Sequence, residues 1–258
     1  MMRKLVLVIG MFVLASGGVR AAELPTGKEL LAKVTAAYRA LTSLEVDMSM
    51  TGEDNPLGTE AGTAHFVFEK SENDGKVVER GCVAGRLTRK SADGKEVVQE
   101  IRGVNDGKYS WLEERVPDSK EVRVTKRDAR APDAFRARAT DVLAEVAQDW
   151  RRYGLQVVGE DMIDGQKMFV LEGGDQPPGE KNPGAGTRVK VWVAQDDLIV
   201  RRKVRTTKRA DQDEQSVITM EWRNVKINQP VAPALFVYTP PEGAKIDDRT
   251  KSRDETGK

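Results

Sequence analysis

Leu41-Thr42-Ser43-Leu44-Glu45-Val46-Asp47-Met48-Ser49-Met50-Thr51 contains the change of hydrophobic period that decides the fold. Before it, Leu30, Leu31, Val34, Ala37, Tyr38 and Leu41 recur at helical spacing and leave Lys28, Lys33 and Arg39 for solvent. From Leu44 the period drops to two. Leu44, Val46, Met48 and Met50 alternate with Glu45, Asp47, Ser49 and Thr51, as in a strand with one buried face. Upstream, Thr26-Gly27-Lys28-Glu29 is a capping box, in which the Thr hydroxyl and the Glu carboxylate each satisfy an orphaned amide. The sequence therefore predicts a capped amphipathic helix running into a half-buried strand.

Downstream the chain reads as further antiparallel strands. Asp74-Gly75, Asp93-Gly94, Asp106-Gly107 and Asp164-Gly165 are hairpin dipeptides, suited to type I′ turns in which both central residues take positive φ. The strands fall at about 62–70, 76–90, 95–104, 108–115 and 120–126, then at 155–161, 167–173, 187–194, 198–208 and 215–226. A second helix is predicted over Pro132 to Trp150, with Phe135, Val142, Leu143, Val146 and Trp150 on one side. Gln176 to Gly186 is a Pro/Gly-rich loop. No repeat or composition shift splits residues 22–246, so a single domain is expected, with 247–258 as a charged, disordered tail. An all-β meander of this size curls to hide its edges, and two amphipathic helices need an apolar surface. The expected fold is mainly β: a curved, unclosed antiparallel half-barrel of about ten or eleven strands, with two helices covering its concave face.

Composition excludes several functions. The 258 residues hold one Cys and one His, too few for a disulfide framework or a Cys/His zinc site. Lys plus Arg (42) and Asp plus Glu (41) nearly cancel, and no basic stripe is interleaved with aromatics, so no nucleic-acid partner is expected. Arg3 and Lys4, the apolar run Leu5 to Ala15, and Val19 and Ala21 before Ala22 read as a signal peptide over residues 1–21. Eleven apolar residues at about 1.5 Å rise reach only about half of a ~30 Å hydrocarbon core. An exported, periplasmic product is expected.

Several stretches share an order with a known family: Leu41-Thr42-Ser43-Leu44, Asp106-Gly107-Lys108-Tyr109-Ser110-Trp111-Leu112, Val189-Lys190-Val191-Trp192-Val193 before Asp196-Asp197, and Phe236-Val237-Tyr238-Thr239-Pro240-Pro241-Glu242-Gly243-Ala244. Together with the leader and the capped helix, they resemble the periplasmic outer-membrane lipoprotein carrier (LolA) superfamily. The resemblance implies an unclosed barrel with a helical lid enclosing an apolar cavity for acyl chains. The family's Arg-Pro strand motif has no counterpart here, where the sequence reads Phe68-Glu69-Lys70-Ser71-Glu72-Asn73-Asp74-Gly75.

Large side chains recur on one parity at Leu44, Val46, Met48 and Met50, at Phe66 and Phe68, at Tyr109 and Trp111, and at Ile218, Met220 and Trp222. With Trp192, these residues, Ile218 excepted, are the candidate ligand contacts. Methionine is pliable and polarizable, which suits a surface for chains of variable shape. The competing reading is that the same residues only pack the sheet against the helices. Catalysis finds little support. His65 alternates with Phe66 and Phe68 and so points outward, Cys82 reads as a buried strand thiol, and no Gly-x-Ser-x-Gly, His-Glu-x-x-His or phosphate loop occurs. Glu113/Glu114 and Asp196/Asp197 read as solvated charge. The basic residues Arg201, Arg202, Lys203, Arg205, Lys208 and Arg209 read as an outer face with salt pairs.

The expectation is a non-enzymatic, cofactor-free monomer that binds a lipid or a lipidated protein, with a membrane-bound donor or acceptor as partner and a place in lipoprotein sorting. An envelope-stress sensor on the same fold and an envelope hydrolase are the alternatives. N-terminal sequencing of the exported protein should begin at Ala22, within a residue. A retained Met1 on membrane-bound material would contradict export.

Overall fold

The computed structural model describes residues 24–54, 58–73, 75–115, 121–131, 134–135, 138–175, 186–208 and 215–250. The expected signal peptide over 1–21, the expected loop over 176–185 and residues 251–258 of the expected tail lie outside the described residues. The order is α1 (Gly27–Ala40), β1 (Ser43–Asp54), β2 (Gly58–Asn73), β3 (Lys76–Ser91), β4 (Glu96–Asn105), β5 (Tyr109–Arg115), β6 (Val122–Asp128), α2 (Ala139–Tyr153), β7 (Gln156–Ile163), β8 (Gln166–Asp175), β9 (Gly186–Ala194), β10 (Val200–Lys208), β11 (Gln215–Ile227) and β12 (Lys245–Asp248). All twelve strands form one sheet in the order β12-β6-β5-β4-β3-β2-β1-β11-β10-β9-β8-β7. It is curved and does not close into a barrel. Two meanders, β1 to β6 and β7 to β11, meet where β1 pairs with β11, Met48 opposite Trp222 and Met50 opposite Met220.

The helix-to-strand reading at Leu41 holds. Thr26 Oγ1 accepts the Glu29 N–H (3.3 Å), and Glu29 Oε2 accepts the Thr26 N–H (2.9 Å). Leu30, Val34 and Tyr38 are buried, and the Tyr38 hydroxyl accepts the Val200 N–H at 3.2 Å. That seat lies far from water, and burial raises the phenol's pKa. The twelfth strand is the one the sequence hides. β12 runs parallel to β6, and Lys126 Nζ reaches Asp248 Oδ2 at 3.1 Å. Asp247 and Asp248 are therefore strand residues, which corrects the tail boundary set at 247.

The second helix starts later than its period suggested. Phe135 lies before it, over Gly103 of β4, where an added Cβ would come within 2.7 Å of the ring. Its carbonyl accepts Asn105 Nδ2 at 3.2 Å, which withdraws it from helical hydrogen bonding. The helix ends at Gly154, φ +60. The hairpin dipeptides also divide. Asp164 (φ +49) and Gly165 (φ +79) are both left-handed as expected, whereas at Asp106-Gly107 only the glycine is (φ +92). There the Asp106 carboxylate instead accepts the N–H groups of Lys108 (2.8 Å) and Tyr109 (2.6 Å).

One face of the sheet carries the helices. Leu44, Val46, Phe66, Phe68, Val191 and Trp222 pack there with Leu30, Val34, Leu143, Val146 and Trp150. Within this layer sits a charge network, contrary to the expectation that Lys203 and Arg205 lie on an outer face. Lys203, 1% exposed, reaches Asp149 of α2 at 2.9 Å and also Glu145. Arg205 reaches both Asp149 oxygens at 2.9 Å. A buried charge left unpaired costs far more than the pair contributes. Lys203→Met should therefore cost about 3 kcal/mol in urea unfolding, and Lys203→Met/Asp149→Leu should recover most of that loss.

Candidate ligand groove

Strand register arranges the helix face into ranks of directly opposed residues. One rank runs Trp222, Met48, Ala64, Gly85, Ile101, and the next Met220, Met50, Gly62, Leu87, Gln99. The neighbouring rank through Val46 and Phe66 lies in the helix-covered core. Ala64, Gly62 and Gly85 have little or no side chain, so methionine, leucine and isoleucine flank a trough rather than a filled layer. The result is a groove of about 290 Å³ lined chiefly by Met48, Met50, Ala64, Leu87, Ile101 and Met220. Lys203 lies opposite Met220 and Arg205 opposite Ile218, so the charge network borders the groove on the β10 side.

The structure divides the candidate contacts into three groups. Met48, Met50 and Met220 line the groove. Leu44, Val46, Phe66, Phe68 and Trp222 are buried in the core among the helices. Tyr109, Trp111 and Trp192 are on the opposite, outer face, which corrects their assignment to the cavity. The reason is register. Trp111 opposes Val104, Val104 opposes Cys82, and Cys82 opposes Val67, all of the parity that points away from Leu44 and Val46. Trp192 opposes Arg202, one residue out of phase with Lys203, and its Nε1–H donates to Asp161 Oδ2 at 3.0 Å. It packs there with Met168, Val170 and Ala194.

Ala64, Leu87 and Ile101 were not singled out from sequence. The small residues at 62, 64 and 85 were the available signal, since alternate small residues on adjacent strands leave an apolar sheet face unfilled.

The outer face is closed by the C-terminal motif. Phe236, 2% exposed, lies beneath the Arg80 guanidinium (4.9 Å), and Tyr238 stacks at 5.3 Å on Trp111. The Tyr238 hydroxyl donates to Glu113 Oε2 at 3.0 Å. Burial, and then this carboxylate, push the Tyr238 phenol's pKa upward. The motif is thus a clasp that carries the chain across β3, β4 and β5 to deliver β12 to the β6 edge. Glu113 itself is buried rather than solvated, a further departure from the sequence reading.

Residues 133–247 match the family described as a predicted periplasmic protein, DUF2092. No curated protein matches. Similar solved structures include a DUF1329 family protein from Desulfovibrio piger, 14% identical over 82% of this chain and 96% of that one, with a TM-score of 0.33. A LolA superfamily protein from Nitrosomonas europaea is 12% identical over 83% and 99% of the two chains, with a TM-score of 0.29. A β-barrel-like protein of the DUF1849 family from Brucella abortus is 9% identical over 73% and 99%, with a TM-score of 0.27. The second of these belongs to the superfamily that the sequence motifs resemble.

Tyr238→Phe leaves the buried Glu113 carboxylate without its phenol donor. It should lower stability by about 2 kcal/mol in chemical denaturation. Amide exchange in β12 should quicken in the same variant, because the clasp that delivers the strand is loosened.

Proposed function

We propose that the protein is an exported, periplasmic, non-enzymatic binding protein that holds an acyl chain of a lipid or a lipidated polypeptide in the helix-face groove. The observation that carries this reading is the groove itself: an apolar trough on a sheet whose neighbouring rank is already packed by helices. Its methionines accommodate a flexible chain without a fixed shape. Each methylene moved from water into such a trough contributes about 0.8 kcal/mol, so affinity accrues with chain length and needs few polar contacts. The match of residues 133–247 to a family described as periplasmic supports the location, as does the leader-like N-terminus. A lipidated cargo gives the protein a membrane-bound donor or acceptor as partner and a part in lipoprotein sorting.

Titration with a fluorescent sixteen-carbon fatty acid tests the reading. The unmodified protein should bind it saturably, and Ala64→Trp, which fills the trough between Met48 and Gly85, should weaken binding at least tenfold with little change in Tm. Leu30→Ala, on the buried face of α1, should instead cost about 2 to 5 kcal/mol of stability. Absence of binding, or binding indifferent to Ala64→Trp, overturns the proposal.

A further inference from the structure

A second cavity lies on the outer face, across β1, β2 and β3 from the groove. It measures about 540 Å³, and its lining includes Asp47, Ser49, Thr63, His65, Arg86 and Asn224, with Arg223 beside them. The register sets these residues in two ranks, Arg223-Asp47-His65-Ala84 and Glu221-Ser49-Thr63-Arg86. Ala84 is the small member of the first rank, which opens space between His65 and Arg86.

His65, the only histidine of the chain, is held in a fixed orientation. Its Nδ1 lies 2.7 Å from Asp47 Oδ1, and Asn224 Nδ2 donates to Asp47 Oδ2 at 2.8 Å. Both carboxylate oxygens are therefore engaged, first by Asn224 and then by His65, which keeps the Asp47 carboxyl below the usual carboxylate range. With Nδ1–H committed to Asp47, Nε2 is the free ring nitrogen.

A distortion of β11 builds this arrangement. Asp47 opposes Arg223 but Glu45 opposes Lys226, so an extra residue bulges out of β11 at this point. Asn224 takes φ +51 there, and the bulge brings two consecutive side chains, Arg223 and Asn224, to the same cavity. Regular pleating sends consecutive residues to opposite faces.

The charges in and beside the cavity do not cancel. Asp47 faces His65, and Arg223 pairs with Glu221 at 2.6 Å, with Arg202 on the other side of Glu221 at 3.6 Å. Arg86 is exposed and, among the described residues, has no ion-pair partner. Guanidinium groups at Arg86 and Arg223, hydroxyls at Ser49 and Thr63, and the His65 ring surround one space. A tetrahedral oxyanion with several acceptor oxygens uses such a set more fully than a two-oxygen carboxylate does. The cavity is also much larger than a bare phosphate, leaving room for an organic group.

We propose that this outer cavity binds a phosphomonoester, with Arg86 and Arg223 holding the phosphate and His65, oriented through Asp47 and Asn224, meeting one of its oxygens. Binding here does not depend on the acyl-chain reading of the opposite face.

The histidine ring gives a single NMR signal, which makes the site directly readable in the full-length mature protein. Glycerol 3-phosphate should shift that signal saturably, inorganic phosphate should do so more weakly, and sulfate at equal concentration should have little effect. Arg86→Ala and His65→Asn, both at exposed or half-exposed positions, should each raise Kd at least tenfold by calorimetry while leaving Tm unchanged. Asn224→Gly keeps the left-handed backbone but removes the amide, and should raise Kd at least threefold, as a positioning residue would. Vesicles containing phosphatidic acid test the lipid source of the same chemistry. Binding to them that is lost in Arg86→Ala, without binding to glycerol 3-phosphate, assigns the site to a lipid phosphate. No saturable shift with any of these probes, equal response to sulfate, or affinity unchanged by Arg86→Ala and His65→Asn overturns the proposal.

Discussion

Two helices of 14 and 15 residues are all that the described chain offers to cover one face of a twelve-stranded sheet. At 1.5 Å per residue each helix is roughly 20 Å long. Twelve strands set about 4.8 Å apart extend more than twice that distance along the curved sheet. The helices therefore cannot cover the helix face, and the rest of the architecture follows from that shortfall. Where they lie, large side chains such as Phe66, Phe68 and Trp222 form a core. Beyond them the sheet carries Ala64, Gly62 and Gly85, and the uncovered strip becomes a groove rather than a deficient core.

The shortfall also explains why charge is buried beneath α2. A helix that touches only part of a sheet has limited apolar area with which to fix its position. Lys203 and Arg205 meet Glu145 and Asp149 at one place, two cations against two carboxylates one helical turn apart. Such a network adds little net stability over well-packed apolar residues, but it penalises every misplacement of the helix, because sliding α2 by one turn strands a buried charge.

On the outer face the chain meets the same need with the C-terminal segment and its single 3-10 turn, Pro233–Phe236, instead of α-helices. The C-terminal segment lays Phe236 and Tyr238 over β3 to β5 and then adds β12 to the β6 edge. An exposed edge strand is a template for unwanted pairing, and here the edge passes from β6 to β12, a strand of only four exposed and mostly charged residues, Lys245–Asp248, the short charged kind that discourages pairing. The cavity around His65 lies on this outer face too, nearer the centre of the sheet. Groove and cavity thus occupy the two sides of β1 to β3, at a place where the sheet itself is thin because Ala64, Ala84 and Gly85 carry almost no side chain.

Local signals determined most of the elements. The change of period at Leu44, the capping box at Thr26 and the strand alternation each arise within a few residues, so sequence alone specified α1, eleven of the twelve strands and the antiparallel meanders. The outward orientation of His65 followed from the same alternation. What sequence could not determine was which face of one strand matches which face of the next, because a turn or bulge of one residue reverses parity for every side chain beyond it. Tyr109, Trp111 and Trp192 were placed in the cavity by size and alternation, and the register puts them outside. Lys203 and Arg205 looked like solvated charge until their carboxylate partners, more than fifty residues away, arrived on α2. β12 was unreadable for a related reason: four exposed residues become a strand only because the clasp brings them to an unpaired edge. Alternation within a strand is a local property of the backbone, whereas phase between strands is set by turns, bulges and distant partners, and only the tertiary structure supplies it.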